Sequence, residues 1–177
     1  MGNNVAMPDR RDALRAMTPW LVIIALVVVF DQVTKIWVLA HFERSTRLEV
    51  TPFFDLVLAF NTGAAFSILA DQSGWQRWFF AALALTVSIW LLALIWQHRH
   101  ERLLPSSFSL IIGGALGNVI DRFTHGAVVD FLSFHAGQYY WPAFNLADSA
   151  ITLGAGLMII GQFRTRKNTD IPPENPT

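Results

Sequence analysis

Two acidic residues stand where an acid is costly. Asp130 interrupts the apolar run Val128-Val129-Asp130-Phe131-Leu132, and Asp148 lies in Phe144-Asn145-Leu146-Ala147-Asp148-Ser149, at the head of another apolar stretch. Two carboxylates brought close cannot both ionise cheaply, so one keeps its proton. An ionised acid beside a neutral one supplies the general base and general acid that hydrolysis needs. Each residue also has a plainer reading. Asp130 on a half-buried strand can point to water. Asp148 can be the third residue of a helix capped by Asn145, a capping-box arrangement, where the helix dipole stabilises its charge by about 0.3–1 kcal/mol.

Other polar residues accompany them. Asp31 and Lys35 are spaced to share a helix face and pair; the plainer reading is an ion pair that snorkels to the interface. Asn61-Thr62-Gly63-Ala64-Ala65-Phe66 has small residues that let a backbone or ligand approach, although a turn alone explains them. In Gly117-Asn118-x-x-Asp121-Arg122, Asn118 and Asp121 share a helical face. Arg122 offers a fork of donors to a carboxylate or to peptide carbonyls; a helix C-terminus also accounts for it. Competing chemistries are poorly represented. The chain has no cysteine, and its five histidines lack metal-ligand spacing. Ser149 has no His–Asp relay. Neither a metal nor a cofactor is expected.

The elements that must position these residues are membrane spans. Of 177 residues, 53% are hydrophobic and 15% charged, against about 25% charged in soluble domains. The net charge is zero, so nothing points to nucleic acid. A bilayer core of about 30 Å takes roughly 20 apolar residues per helix. Four segments are expected to span, at about 20–40, 76–97, 103–121 and 144–164, within a single domain covering 1–177. Loops 41–75 and 122–143 lie between them, and a disordered tail covers 168–177. Eight basic residues flank one side (Arg10, Arg11, Arg15, Arg99, Arg102, Arg164, Arg166, Lys167) and four the other (Arg44, Arg47, Arg77, Arg122). The positive-inside rule then puts both termini in the cytoplasm and the longer loops outside. Trp20, Trp37, Trp75, Trp78, Trp96 and Trp141 fall near span ends, as interfacial indoles do. Gly113-x-x-x-Gly117 and Ala150-x-x-x-Gly154 predict close packing of the third and fourth spans. Alternation from Leu48 to Phe60 reads as strand, with Pro52 marking an edge or a bulge. Val128–Phe134 is a second strand candidate. A small outward sheet on the membrane surface accommodates both.

Five ordered blocks, Asp31-Gln32-Val33-Thr34-Lys35, Asn61-Thr62-Gly63-Ala64-Ala65-Phe66, Gly113-Gly114-Ala115-Leu116-Gly117-Asn118-x-x-Asp121-Arg122, Val128-Val129-Asp130-Phe131 and Phe144-Asn145-Leu146-Ala147-Asp148-Ser149, together resemble the bacterial lipoprotein signal peptidase (signal peptidase II) family. The resemblance runs from about Trp20 to Phe163. It implies an all-α membrane fold of four transmembrane helices, with a small periplasmic β-cradle and a short periplasmic helix. It implies an aspartyl dyad on Asp130 and Asp148 and a diacylglyceryl-modified prolipoprotein as substrate. Cleavage would fall on the amino side of the lipidated cysteine, at the periplasmic face of the inner membrane. Asn61, Gly63, Asn118, Arg122 and Asn145 would hold the peptide or orient the acids, with Asp31, Lys35 and Asp121 in support. Globomycin is the implied inhibitor and membrane lipid the surroundings; a monomer is expected. Two other readings use the same residues. A small proton-coupled transporter would use the acids as a relay, but no internal repeat accompanies them. A structural membrane subunit would use them only to cap and pair.

Overall fold

The computed structural model describes residues 10–63 and 74–169. Its elements follow in the order α1 (Arg10–His41), β1 (Arg47–Thr51), β2 (Phe54–Asn61), α2 (Trp75–Gln97), α3 (Leu103–Thr124), β3 (Val128–Ala136), β4 (Tyr139–Tyr140) and α4 (Leu146–Thr169). Residues 168 and 169 of the expected tail are helical, because α4 continues through Thr169; residues 170–177 lie outside the described ones. No short outward helix occurs among the described residues.

The helices form long elements because apolar residues surround them. Leu21, Leu26, Phe30, Ile36, Phe79, Ile89, Trp90, Ile159 and Phe163 are exposed, while Asp31, Lys35, Asn118, Asp121, Asp130 and Asn145 are buried. This inverts the arrangement of a water-soluble domain and suits lipid. Among the described residues three helices, at Leu14–His41, Trp75–Gln97 and Leu103–Thr124, are long and apolar enough to cross a membrane, and Leu146–Gly161 is a shorter apolar stretch.

Helix α3 is the pivot, packing against α1, α2 and α4. Pro105 sits in its first turn, where the missing N–H has no helical partner to lose. Glycines set the spacing. A Cβ at Gly154 would come 2.6 Å from Ser107 O of α3, and one at Gly114 would strike Ala147 O of α4. The expected packing of these two helices is present. Gly113, however, faces α1, where a Cβ would lie 2.6 Å from Val27 Cβ. Met17, Trp20, Ile24, Leu91, Ile95, Phe108 and Ile112 knit α1, α2 and α3 at the other end.

The four strands form one antiparallel sheet in the order β1-β2-β3-β4. Pro52 lies in the turn that folds the edge strand β1 onto β2, directly after an irregularity in their pairing between Glu49 and Thr51, as the expected edge or bulge required. A second bulge falls between Leu56 and Ala59, where three steps along β2 match two along β3. An extra residue reverses which face later side chains take. Asn61 therefore shares a face with Asp130. Val129 and Phe131 take the other face and pack with Val38 of α1 and Leu58 of β2.

Candidate active site

The site is assembled from a buried platform outward. Lys35 Nζ donates to Asp31 Oδ2 at 2.8 Å, Asp121 Oδ2 at 2.8 Å and Asn118 Oδ1 at 3.1 Å. An ammonium has three protons and no acceptor, so these partners use it fully. Lys35 is 1% exposed and does not snorkel. Pairing and hydrogen bonding make its burial tolerable. The two acids tie elements together. Asp31 Oδ1 accepts from Ala147 N at 2.9 Å, in the first turn of α4, whose N–H groups have no helical partner. Asp121 Oδ2 accepts from Val129 N at 3.0 Å, anchoring β3. Gln32 Nε2 lies 3.2 Å from Asp31 Oδ2, 3.0 Å from Asp121 Oδ1 and 3.2 Å from Gly117 O.

Two asparagines carry this platform to Asp130 and Asp148. Asn118 Oδ1 receives Lys35, so its Nδ2 is turned to Asp148 Oδ1 at 2.8 Å. Asn145 caps α4: its Oδ1 accepts from Asp148 N at 2.9 Å. Its Nδ2 reaches Asp130 Oδ1 at 2.7 Å, Asn118 Oδ1 at 3.2 Å and Val129 O at 3.2 Å. The capping expected from the sequence is present, yet the Asp148 carboxylate turns to Asn118 rather than back to Asn145. On the strand side, Asn61 Nδ2 donates to Asp130 Oδ2 at 3.1 Å, and Gly63 N donates to Asn61 Oδ1 at 2.9 Å. Gly63 has φ 95°, a left-handed conformation that glycine adopts without penalty. Arg122 Nη1 donates to Asn118 O at 3.0 Å.

Asp130 is 2% exposed, which overturns the reading that it points to water. Burial pushes its carboxyl up from 3.8 to about 7, and the charge of Asp148 adds to that rise; hydrogen bonds from Asn61 and Asn145 and the charge of Lys35 oppose it. Asp148 is half-buried and sits where the α4 dipole favours negative charge. The arrangement can hold one neutral and one ionised carboxyl within a single hydrogen-bonded frame. Among the described residues no group of three or more His, Asp or Glu is placed to hold a metal ion.

The structure thus brings together Asp31, Lys35, Asn61, Gly63, Asn118, Asp121, Arg122, Asp130, Asn145 and Asp148. Two participants carried no functional reading in the sequence. Gln32 had a signal, an amide inside an apolar run. Phe80, whose ring lies 5.6 Å from Arg122 Cζ, had none, since a phenylalanine in a span is ordinary.

Comparison with known proteins bears on this arrangement. Residues 23–164 match the family model for signal peptidase (SPase) II. A lipoprotein signal peptidase of Azoarcus sp. (strain BH72) is 61% identical, covering 97% of this chain and 100% of that protein. That of Burkholderia thailandensis is 53% identical over 84% of this chain and 90% of its own. A bacterial membrane enzyme solved by the in meso method at 2.3 Å resolution superposes with a TM-score of 0.76 at 34% identity, covering 91% of this chain and 95% of that one. A second, solved by the same method at 1.9 Å, gives 0.73 at 34% identity, with 82% and 93% covered. With apolar helices around a buried polar frame and relatives of this closeness along nearly its whole length, the chain belongs to the signal peptidase II family and is a membrane-embedded protease of lipoprotein processing.

Proposed function

We propose that this protein removes signal peptides from diacylglyceryl-modified prolipoproteins, using Asp130 and Asp148 as an aspartyl dyad and cutting on the amino side of the lipidated cysteine. The observation that carries the reading is the Asn145–Asn118 bridge, which joins the two carboxyl groups from a strand and a helix terminus. Asp148, ionised, takes a proton from a water molecule whose oxygen attacks the scissile carbonyl carbon. Asp130, protonated, gives its proton to the departing amine nitrogen as the peptide C–N bond breaks. The products are a carboxyl terminus on the signal peptide and a free amine on the lipidated cysteine. Arg122 polarises the scissile carbonyl with donors pre-aimed at the developing negative charge. Asn61, Gly63, Asn118 and Asn145 hold the peptide backbone and the acids. Asp31, Lys35 and Asp121 keep the frame rigid.

The reading includes topology. Four helices span the inner membrane, the fourth being α4; its 24 residues extend about 36 Å, and Leu153, Ile159 and Ile160 are exposed along it. Both termini are cytoplasmic, and the sheet rests on the periplasmic side. A signal helix lying in the bilayer then presents its scissile bond at the depth of the carboxyl pair. The reaction needs no cofactor, the protein acts as a monomer, and globomycin blocks it.

The test is incubation of the purified protein with a precursor that carries diacylglycerol on its cysteine, and with the same precursor lacking it, followed by mass spectrometry. Cleavage of the lipidated form alone, directly before the cysteine, is expected. Equal cleavage of both forms, or a cut elsewhere, refutes the substrate assignment.

A further inference from the structure

Three helices supply the frame between the carboxyl groups: α1 with Lys35, α3 with Asn118 and α4 with its cap residue Asn145. We propose that Phe80 of α2 is a positioning residue for the reaction, fixing the plane of the Arg122 guanidinium beside the carboxyl pair. The inference rests on the peptidase reading above and deepens it.

The Phe80 ring is where two arms of the site meet. Arg122 Cζ lies 5.6 Å from the ring centroid, within the range of cation–π attraction. The same ring abuts Gly63 so closely that a Cβ there would stand 2.6 Å from Phe80 Cε2. Gly63 N holds Asn61 Oδ1, and Asn61 holds Asp130. On the other arm, Arg122 bonds the carbonyl of Asn118, and Asn118 holds Asp148. Phe80 therefore links the strand end that serves one acid to the helix end that serves the other.

Arg122 needs such a support. One Nη1 bond, to its own helix, is its hydrogen bond among the described residues, and its Nε is buried without a partner. Its side chain is long and rich in rotamers, so the aromatic face limits how it can swing. Asp148, Asp121 and Asp130 all lie near enough for their charges to act on its guanidinium. Electrostatic stabilisation of a developing oxyanion depends on such prior placement. Losing the ring should cost turnover more than binding.

The experiment measures kcat and KM on the lipidated precursor for Phe80→Leu, Phe80→Tyr, Arg122→Lys and the double variant Phe80→Leu/Arg122→Lys. Phe80→Leu should lower kcat about tenfold with KM within about twofold, the pattern of an interaction made only in the transition state. Phe80→Tyr, which keeps the ring, should retain at least about half of kcat. The double variant should be no slower than Arg122→Lys, because a residue that acts through another is not additive with it. Losses that multiply in the double variant, or an unchanged kcat in Phe80→Leu, overturn the proposal. Phe80→Met, unbranched and adaptable, replaces the leucine variant if that one does not fold, with the same expectations. Failure of the peptidase reading looks different: Asp130→Asn or Asp148→Asn would then still cleave, whereas failure of this inference leaves both inactive.

Discussion

The raised carboxyl of Asp130 is the residue-scale feature on which the proposed chemistry turns. Its carboxyl is raised to about 7, chiefly by burial and next by the charge of Asp148. Replacing Asp148 with Asn removes the second cause and leaves the first. The Asp130 titration midpoint, followed through its carboxyl stretch by infrared spectroscopy, should then fall below about 7 yet stay above 3.8. Replacing Asn61 with Ala removes a hydrogen bond that opposes the rise, so the midpoint should climb. The sign for stability follows. Between 3.8 and about 7 the folded protein holds a proton on Asp130 that the unfolded chain has released. Stability therefore declines as pH rises through that window. The proposed catalysis shares the direction: a general acid must be protonated, and kcat/KM should fall as pH rises past about 7.

At the scale of elements, the spacing between α3 and α4 decides where Asp148 stands. Gly154 faces Ser107 O of α3, where a Cβ would lie 2.6 Å away. Gly154→Val overpacks that seam, and cores overfilled in this way lose about 1–3 kcal/mol. A lower thermal midpoint in detergent and reduced cleavage are expected together; an unchanged midpoint would show that the two helices are not this tightly held. Much at this scale was legible in the sequence. Asp31 and Lys35 pair as their helical spacing requires, and Asn145 caps α4 as its position before an apolar run suggests. What stayed hidden depended on tertiary contact. The β2 bulge that turns Asn61 toward Asp130 leaves no mark in a run of alternating apolar residues. Asp130 read as an ordinary solvated strand residue, because the burial of β3 comes from α1, α3 and the sheet together. Pro52 signalled an interruption, and the chain made it a hairpin turn. Phe80 is one of many aromatics in the apolar helices, and only the approach of Arg122 and Gly63 sets it apart.

Across the whole molecule, apolar side chains face outward and a charged frame is enclosed at one end. The proposed orientation places Glu43 outside and Glu101 inside. Because the chain has no cysteine, single substitutions Glu43→Cys and Glu101→Cys give clean labelling sites. An impermeant thiol reagent applied to the periplasmic side should modify Glu43→Cys and spare Glu101→Cys; the reverse would invert the topology and put the carboxyl pair at the wrong face. The enclosed end is also where the account is most exposed to test. Cleavage of a diacylglyceryl-modified precursor by the intact protein should be lost almost completely in Asp130→Asn and, separately, in Asp148→Asn, with each variant still folded by its thermal midpoint. Robust cleavage by either folded variant would contradict the dyad.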